Sequence, residues 1–140
     1  MVLNKIISLP AYRRGFHLVT DEILQQIPEI RTVKSGLLVL TLQHTSASLS
    51  LNENADPTVR DDLESVFNRL VPESHPDYRH TFEGPDDLPA HIKSALLGTN
   101  LSLSVQHGEP LLGTWQGIVL GEHRNHGGSR NIAVTLIGDR

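Results

Sequence analysis

The spacing of apolar and polar positions divides the chain into short strands and two substantial helices. Val2 to Leu9 fits an edge strand, and Gly15 to Val19 a second, shorter one. Thr20 or Asp21 is placed to cap a short helix over Glu22 to Gln26, which Pro28 stops. Gly36 to Leu42 is apolar throughout, the pattern of a strand buried on both faces. Ala47 to Asn52 alternates instead: Ala47, Leu49 and Leu51 point one way, and Ser48, Ser50 and Asn52 the other. Without a bulge, His44 and Ser46 join that hydroxyl-rich side, which suits either solvent or the wall of a wet pocket.

Asp56-Pro57 is a strong helix start, with Asp as the cap and Pro in the first turn. Val59, Leu63, Val66, Phe67 and Leu70 follow at helical spacing, and Val71-Pro72 ends the run. A second helix runs from Asp86 or Asp87 to Leu97, with Gly98 as its stop and Leu88, Ile92, Ala95 and Leu96 as its apolar stripe. The last third is all β. Leu101 to Gln106 alternates, His107-Gly108-Glu109-Pro110 is a turn, and strands over Trp115–Glu122 and Asn131–Ile137 are joined as a hairpin. Its loop, from His123 to Arg130, is longer than a tight turn needs. Strands wrapped around two main helices make an α+β fold.

Length and composition narrow the possibilities. At 140 residues, the chain suits one domain spanning residues 1–140. A chain of this size has no interdomain cleft, so a site lies on the surface of that domain or at a subunit boundary. Cysteine is absent, which removes disulfides, thiolate nucleophiles and Cys-ligated zinc together. No signal-peptide pattern and no long apolar run is present, so the expected location is the cytoplasm, away from membranes. The net charge of −4 and the scarcity of aromatic residues argue against nucleic acid as a partner. Eight histidines without a cysteine favour metals bound by imidazole and carboxylate.

Three constellations have the makings of chemistry. In the first, Asp87 and His91 stand one turn apart on one helix face, and His80 precedes the turn and can fold back. Two imidazoles and a carboxylate with an open position suit catalytic zinc and other divalent metals; a helix cap with a bonded histidine fits the same residues. The second is Gln43-His44-Thr45-Ser46 with Asn52-Glu53-Asn54 downstream, where the chain leaves an apolar strand. A strand-end histidine satisfied by hydroxyls fits it equally. The third is the basic loop of His123, Arg124, His126, Gly127, Gly128, Ser129 and Arg130. Its glycines free backbone N–H groups for an anion, and its arginines can grip phosphate bidentately. A solvated turn is the plain alternative. No nucleophile elbow, phosphate-binding P-loop or dinucleotide fingerprint is present.

Five blocks taken together resemble the YjbQ family. They are Gln43-His44-Thr45-Ser46-Ala47, Asn52-Glu53-Asn54-Ala55-Asp56-Pro57, Asp87-Leu88-Pro89-Ala90-His91-Ile92-Lys93-Ser94, Gly113-Thr114-Trp115-Gln116-Gly117, and Glu122-His123-Arg124 with Gly127-Gly128-Ser129-Arg130. They occur in order across nearly the whole chain. Leu88 stands where the family often has Met, a conservative exchange.

The resemblance implies a mostly antiparallel, sandwich-like β core, a homotrimer, and histidine metal ligands. It also implies a secondary thiamine-phosphate synthase activity, joining a hydroxymethylpyrimidine diphosphate to a thiazole phosphate with release of pyrophosphate. On this reading His80, Asp87 and His91, with His44 as a further candidate, hold a divalent metal. Two histidines argue for zinc and diphosphate chemistry for magnesium. His44, Glu53 and Glu122 are the catalytic candidates, the two glutamates being placed to orient a pyrimidine amine. Thr45, Ser46, Asn52, Trp115, Gln116, Arg124, Gly127, Gly128, Ser129 and Arg130 are the candidates for binding a small phosphorylated heterocyclic substrate. Two other functions fit the same residues: a metal-dependent hydrolase of small phosphate esters, and a non-enzymatic module that binds a phosphorylated metabolite.

Overall fold

The strands pair into two sheets rather than one. The computed structural model describes residues 1–140. Its strands are β1 (Val2–Leu9), β2 (Gly15–Leu18), β3 (Ser35–Leu42), β4 (Ala47–Glu53), β5 (Asn100–Gln106), β6 (Glu109–Pro110), β7 (Gln116–Glu122) and β8 (Arg130–Asp139). One sheet has the order β1-β8-β3-β5-β6 and the other β2-β7-β4, and every pairing is antiparallel. Three helices complete the fold: α1 (Thr20–Gln25), α2 (Pro57–Leu70) and α3 (Asp87–Leu97). The fold is α+β with a mostly antiparallel β core, as expected.

The inner faces of the two sheets meet. Leu38, Leu40 and Leu42 of β3 and Ile132, Val134 and Leu136 of β8 pack in one cluster with Leu49 of β4 and Ile118 and Leu120 of β7. Ile23 of α1, with Ile27 and Ile30 beyond it, joins the same cluster. α3 packs on β4 and α2 on β2, so the two longer helices cover the outer side of the smaller sheet. No helix lies over the outer side of the larger one. This explains why β3 is not buried on both faces: Leu37 is exposed on its outer side, beside Ile137, Val2 and Ile6.

Local signals place the helix ends. Asp56 caps α2, its Oδ1 accepting from the Thr58 backbone N–H at 2.9 Å. Gly98 ends α3 with φ of 93°, a conformation that residues bearing a Cβ rarely adopt. α1 differs from expectation. Its cap position is Val19, which makes no side-chain bond, and the Thr20 hydroxyl instead accepts from the Ile118 N–H.

The expected hairpin between the last two long strands is absent, because β7 and β8 belong to different sheets. The long loop from His123 to Ser129 crosses between them. Glu122 ends β7 and Arg130 starts β8, both on inner faces, and they form a buried bidentate ion pair. Arg130 Nε donates to Glu122 Oε1 at 2.8 Å, and Arg130 Nη2 donates to Oε2 at 2.5 Å.

α3 also presents an unexpected face. Its buried residues are Asp87, Pro89, Ala90, Lys93 and Ser94, whereas Leu96 of the expected apolar stripe is exposed. The reason is its seat on β4, where Ser48 and Ser50 point toward the helices and polar groups find partners. Lys93, with no exposed surface, donates to Asn68 Oδ1 of α2 at 2.7 Å. Arg14 shares that oxygen and also pairs with Glu64 and Glu73. Ser48 Oγ lies 2.9 Å from His123 Nε2.

Two expectations for stability follow. Arg130→Ala strands the Glu122 charge in the interior and is expected to cost about 3–5 kcal/mol, whereas the double change Glu122→Gln with Arg130→Met costs less. Urea unfolding of both variants against the parent measures it. Burial, and then the charges of Lys93, Arg130 and Arg14, push His123 down from 6.5 to about 3. The folded chain therefore resists a proton that the unfolded chain accepts below about 6.5, and stability falls as the pH drops from there toward 3. The urea midpoint should fall between pH 7.5 and 5 and fall less in His123→Gln; an equal fall in both removes His123 as the cause.

Candidate functional site

The start of α3, the loop before it and the crossover loop bring one cluster together. His80 folds back as the sequence suggested: its Nε2 lies 2.6 Å from Asp87 Oδ2. His91, one turn along α3, places Nε2 at 3.1 Å from the same oxygen. These three donor atoms all lie within 4.8 Å of one another. Asp87 is almost fully buried, while His80 is exposed and His91 half-buried, so the cluster opens to solvent on the histidine side.

The tautomer of His91 is set by its other nitrogen. Nδ1 lies 2.8 Å from the Thr45 carbonyl oxygen, which can only accept, so Nδ1 carries the hydrogen. In a neutral ring Nε2 then offers a lone pair toward the Asp87 carboxylate. Two lone pairs face each other there unless a proton or a cation lies between them. A histidine held through its far nitrogen by a carbonyl is also the usual outer support of a metal ligand. The donor set therefore fits a divalent cation.

Asp87 is held from its other side by Arg124. Arg124 Nη1 donates to Asp87 Oδ1, Nε donates to Asp86 Oδ2 at 2.8 Å, and Nη2 donates to the Glu83 carbonyl at 3.1 Å. Burial acts to raise the Asp87 carboxyl, but the bonds and charges of His80, His91 and Arg124 outweigh it and hold the group below its ordinary value. Asp86 is lowered in the same way: burial is again overcome, here by the Asn125 N–H and by Arg124. Asp86 occupies the cap position without a side-chain capping bond, and Asp87 is the first helical residue; its carboxylate serves the cluster rather than the helix end.

The remaining candidates divide into three places. Residues 43–46 lie beside the cluster, outside any strand, so His44 and Ser46 do not continue the hydroxyl row of β4. His44 Nε2 accepts from the Asn131 N–H at 2.7 Å, which leaves the hydrogen on Nδ1. Burial, then Arg130, lowers its pKa, so its ring is neutral at pH 7. Arg130 also donates to the Ser46 carbonyl at 3.3 Å. Thr45 contributes its backbone oxygen to His91.

The basic loop is occupied from within. Glu122 and Arg130 pair with each other in the interior, where both are buried. Arg124 is committed to Asp86 and Asp87. A Cβ on Gly127 would lie 2.1 Å from Glu122 Oε1, so this glycine makes room for a carboxylate rather than for an anion. Ser129 Oγ donates to the Leu9 carbonyl at 2.5 Å. Gly128, with φ of 71°, supplies the turn.

Asn52, Glu53, Trp115 and Gln116 stand elsewhere. The β4–β7 register pairs Glu53 with Gln116 and Ala47 with Glu122, so these four residues lie at the opposite end of the smaller sheet. Six residues of strand separate the two ends, roughly 20 Å. Asn54 Nδ2 donates to the Gln116 carbonyl at 2.9 Å, and Trp115 is exposed. One chain does not bring them to the histidine cluster. His123, which the sequence groups with the basic loop, is buried instead against Ser48 of β4, and Lys93 is buried beneath the helices; their burial arises from packing between distant segments.

A family model described as "UPF0047 protein YjbQ-like" matches residues 5–139. The UPF0047 protein YjbQ of Escherichia coli O157:H7 is 59% identical over 139 residues, covering 99% of this chain and 100% of that protein. The UPF0047 protein sll1880 of Synechocystis is 42% identical over 136 residues, covering 97% and 92%. Among solved structures, a conserved yjbq/upf0047 family protein of Clostridium acetobutylicum superposes with a TM-score of 0.82 at 32% identity, over 95% of this chain and 99% of that one. A YbjQ-like protein of unknown function from Sulfolobus solfataricus gives a TM-score of 0.85 at 23% identity, over 99% of both chains, and shows the same fold. With matches of this extent in sequence and in structure, the chain belongs to the UPF0047 YjbQ-like family.

Proposed function

We propose that the chain is a metal-assisted transferase with thiamine-phosphate synthase-like secondary activity, joining hydroxymethylpyrimidine diphosphate to a thiazole phosphate and releasing pyrophosphate. The observation that carries this reading is the His80–Asp87–His91 donor set, with the far nitrogen of His91 tied to the Thr45 carbonyl. His80 Nε2, Asp87 Oδ2 and His91 Nε2 are the atoms that would hold a divalent ion, zinc or magnesium. Such an ion supplies charge neutralisation for the oxygens of a departing diphosphate.

The chain's own groups do the rest. Arg124 fixes the Asp87 carboxylate, and Thr45 fixes the tautomer of His91. His44, with its hydrogen on Nδ1, is a donor to a substrate oxygen rather than a base. Transfer between two organic substrates is favoured over hydrolysis by the clefts on either side of the cluster. One, of about 270 Å³, is lined by Tyr78, His80 and Thr81; the other, of about 620 Å³, is lined by His44, Thr45, His91 and Thr99. Hydrolysis needs room for one organic substrate only.

The same proposal includes a homotrimer working in the cytoplasm, without nucleic acid or membrane; no helix is long and apolar enough to cross a bilayer. Val2, Ile6, Leu37 and Ile137 form an exposed apolar stripe on the uncovered side of the larger sheet, which a second copy of the chain would cover. Asn52, Glu53, Trp115 and Gln116 would then serve a pocket completed by a neighbouring subunit. Light scattering is expected to give three times the 15.5 kDa chain mass and a smaller particle for Ile6→Lys. A monomeric parent protein removes both the trimer and the shared pocket.

Elemental analysis of protein purified without a histidine tag is expected to find one divalent metal per chain in the parent, and loss of it in His91→Ala and Asp87→Asn. Incubation with both thiamine precursors, beside a panel of phosphate esters, then tests the reaction. Product formed only with both precursors supports the transferase. Ester cleavage alone replaces it with a hydrolase, and a bound metal with no turnover replaces it with a binding module.

A further inference from the structure

Arg124, Arg130 and Gly127, which the sequence offers for phosphate, face carboxylates of the chain itself. Arg130 is buried in its pair with Glu122, Arg124 pairs with Asp86 and Asp87, and the space over Gly127 is filled by the Glu122 carboxylate. An anion at that loop would meet negative charge. A phosphate-handling protein with this arrangement needs its anion seat in another place.

One groove has the right lining. It has a volume of about 620 Å³ and is bounded by His44, Thr45, His91, Ser94, Ala95, Gly98 and Thr99. Four other clefts each carry at least one carboxylate: Asp21 and Glu22, Asp21 and Glu109, Glu73, and Asp61. This groove carries none, in a chain with 16 acidic residues. It offers three hydroxyls instead, from Thr45, Ser94 and Thr99, and the Ser94 side belongs to a residue only 5% exposed. The bond from the Asn131 N–H to His44 Nε2 leaves the His44 Nδ1–H as a further donor. Ala95 and Gly98 leave space; a Cβ added at Gly98 would meet nothing within 4 Å. His91 stands at the boundary between the groove and the donor cluster.

We propose that this groove, through Thr45, Ser94, Thr99 and the Nδ1–H of His44, is the seat of a substrate phosphate or diphosphate group beside the His80–Asp87–His91 cluster. The location rests on the phosphate-transfer reading of that cluster. Hydroxyl and imidazole donors bind a tetrahedral oxyanion without requiring a neighbouring arginine, because hydrogen bonds to a charged acceptor are stronger than neutral ones.

Titration calorimetry of the intact protein with inorganic phosphate and with pyrophosphate tests the seat directly. Ser94→Ala and Thr99→Val are each expected to weaken binding about tenfold, the loss of one hydrogen bond to a charged group. Their affinity for zinc, measured separately, should equal that of the parent. If both variants bind phosphate and pyrophosphate as the parent does, or if the weakening appears in Ser129→Ala instead, the seat is not here. Weakened phosphate binding in a protein that binds no zinc or magnesium would leave the groove standing and remove the metal. Intact metal binding with unaltered phosphate affinity in both variants would do the reverse.

Discussion

The buried pair of Glu122 and Arg130 is the constraint on which the arrangement around the site depends. It joins the last residue of β7 in one sheet to the first residue of β8 in the other, across the interior. A bidentate arginine–carboxylate contact has a narrow geometry, so it fixes how the sheets meet at this end. The same guanidinium reaches the Ser46 carbonyl, and the next residue, Asn131, bonds both Gln43 and His44. The 43–46 segment is thus held by the start of β8, and that segment orients His91 through Thr45. The ion pair lies behind the donor cluster without touching it.

A second layer of polar contacts lies beneath the helices. α2 and α3 rest on the hydroxyl-bearing side of the smaller sheet, where Lys93, Asn68, Arg14, Glu64 and Glu73 form a connected set. Burying a lysine with a single partner is unfavourable, and burial followed by the Arg14 charge accordingly lowers its pKa. What the set provides is orientation. It turns α3 so that Asp87 faces inward toward Arg124, with His91 left at the rim.

Features encoded by neighbours in the chain could be read from the sequence. Asp56-Pro57 starts a helix, Gly98 ends one, and Asp87 and His91 meet because one helical turn separates them. His80 was placed by the same reasoning, since only six residues intervene before Asp87. Distant pairings were not legible. An alternating strand followed by a loop and another strand looks alike whether the two share a sheet or not, so the sequence suggests a hairpin where β7 and β8 belong to different sheets. Arg130 therefore reads as free for phosphate in the sequence, whereas the fold pairs it with the interior Glu122 carboxylate. The apolar stripe of α3 misled for a related reason: periodicity shows which residues share a face, and the surface opposite decides which face is buried. Nearness in the chain suggests grouping Asn52 and Glu53 with His44, and the family pattern adds Trp115 and Gln116, but the β4–β7 register sets all four at the other end of the sheet.

The support for His91 comes from a main-chain oxygen, the carbonyl of Thr45. No exchange of side chain at position 45 removes that acceptor. The orientation of the imidazole is therefore written into the path of the backbone between β3 and β4 rather than into the identity of one residue. A change in the length of this connection, by even one residue, would displace the carbonyl and disturb the site more than most substitutions along it. The connection between β3 and β4 thus has little freedom to lengthen or shorten, although it is a surface loop of the kind that usually tolerates both.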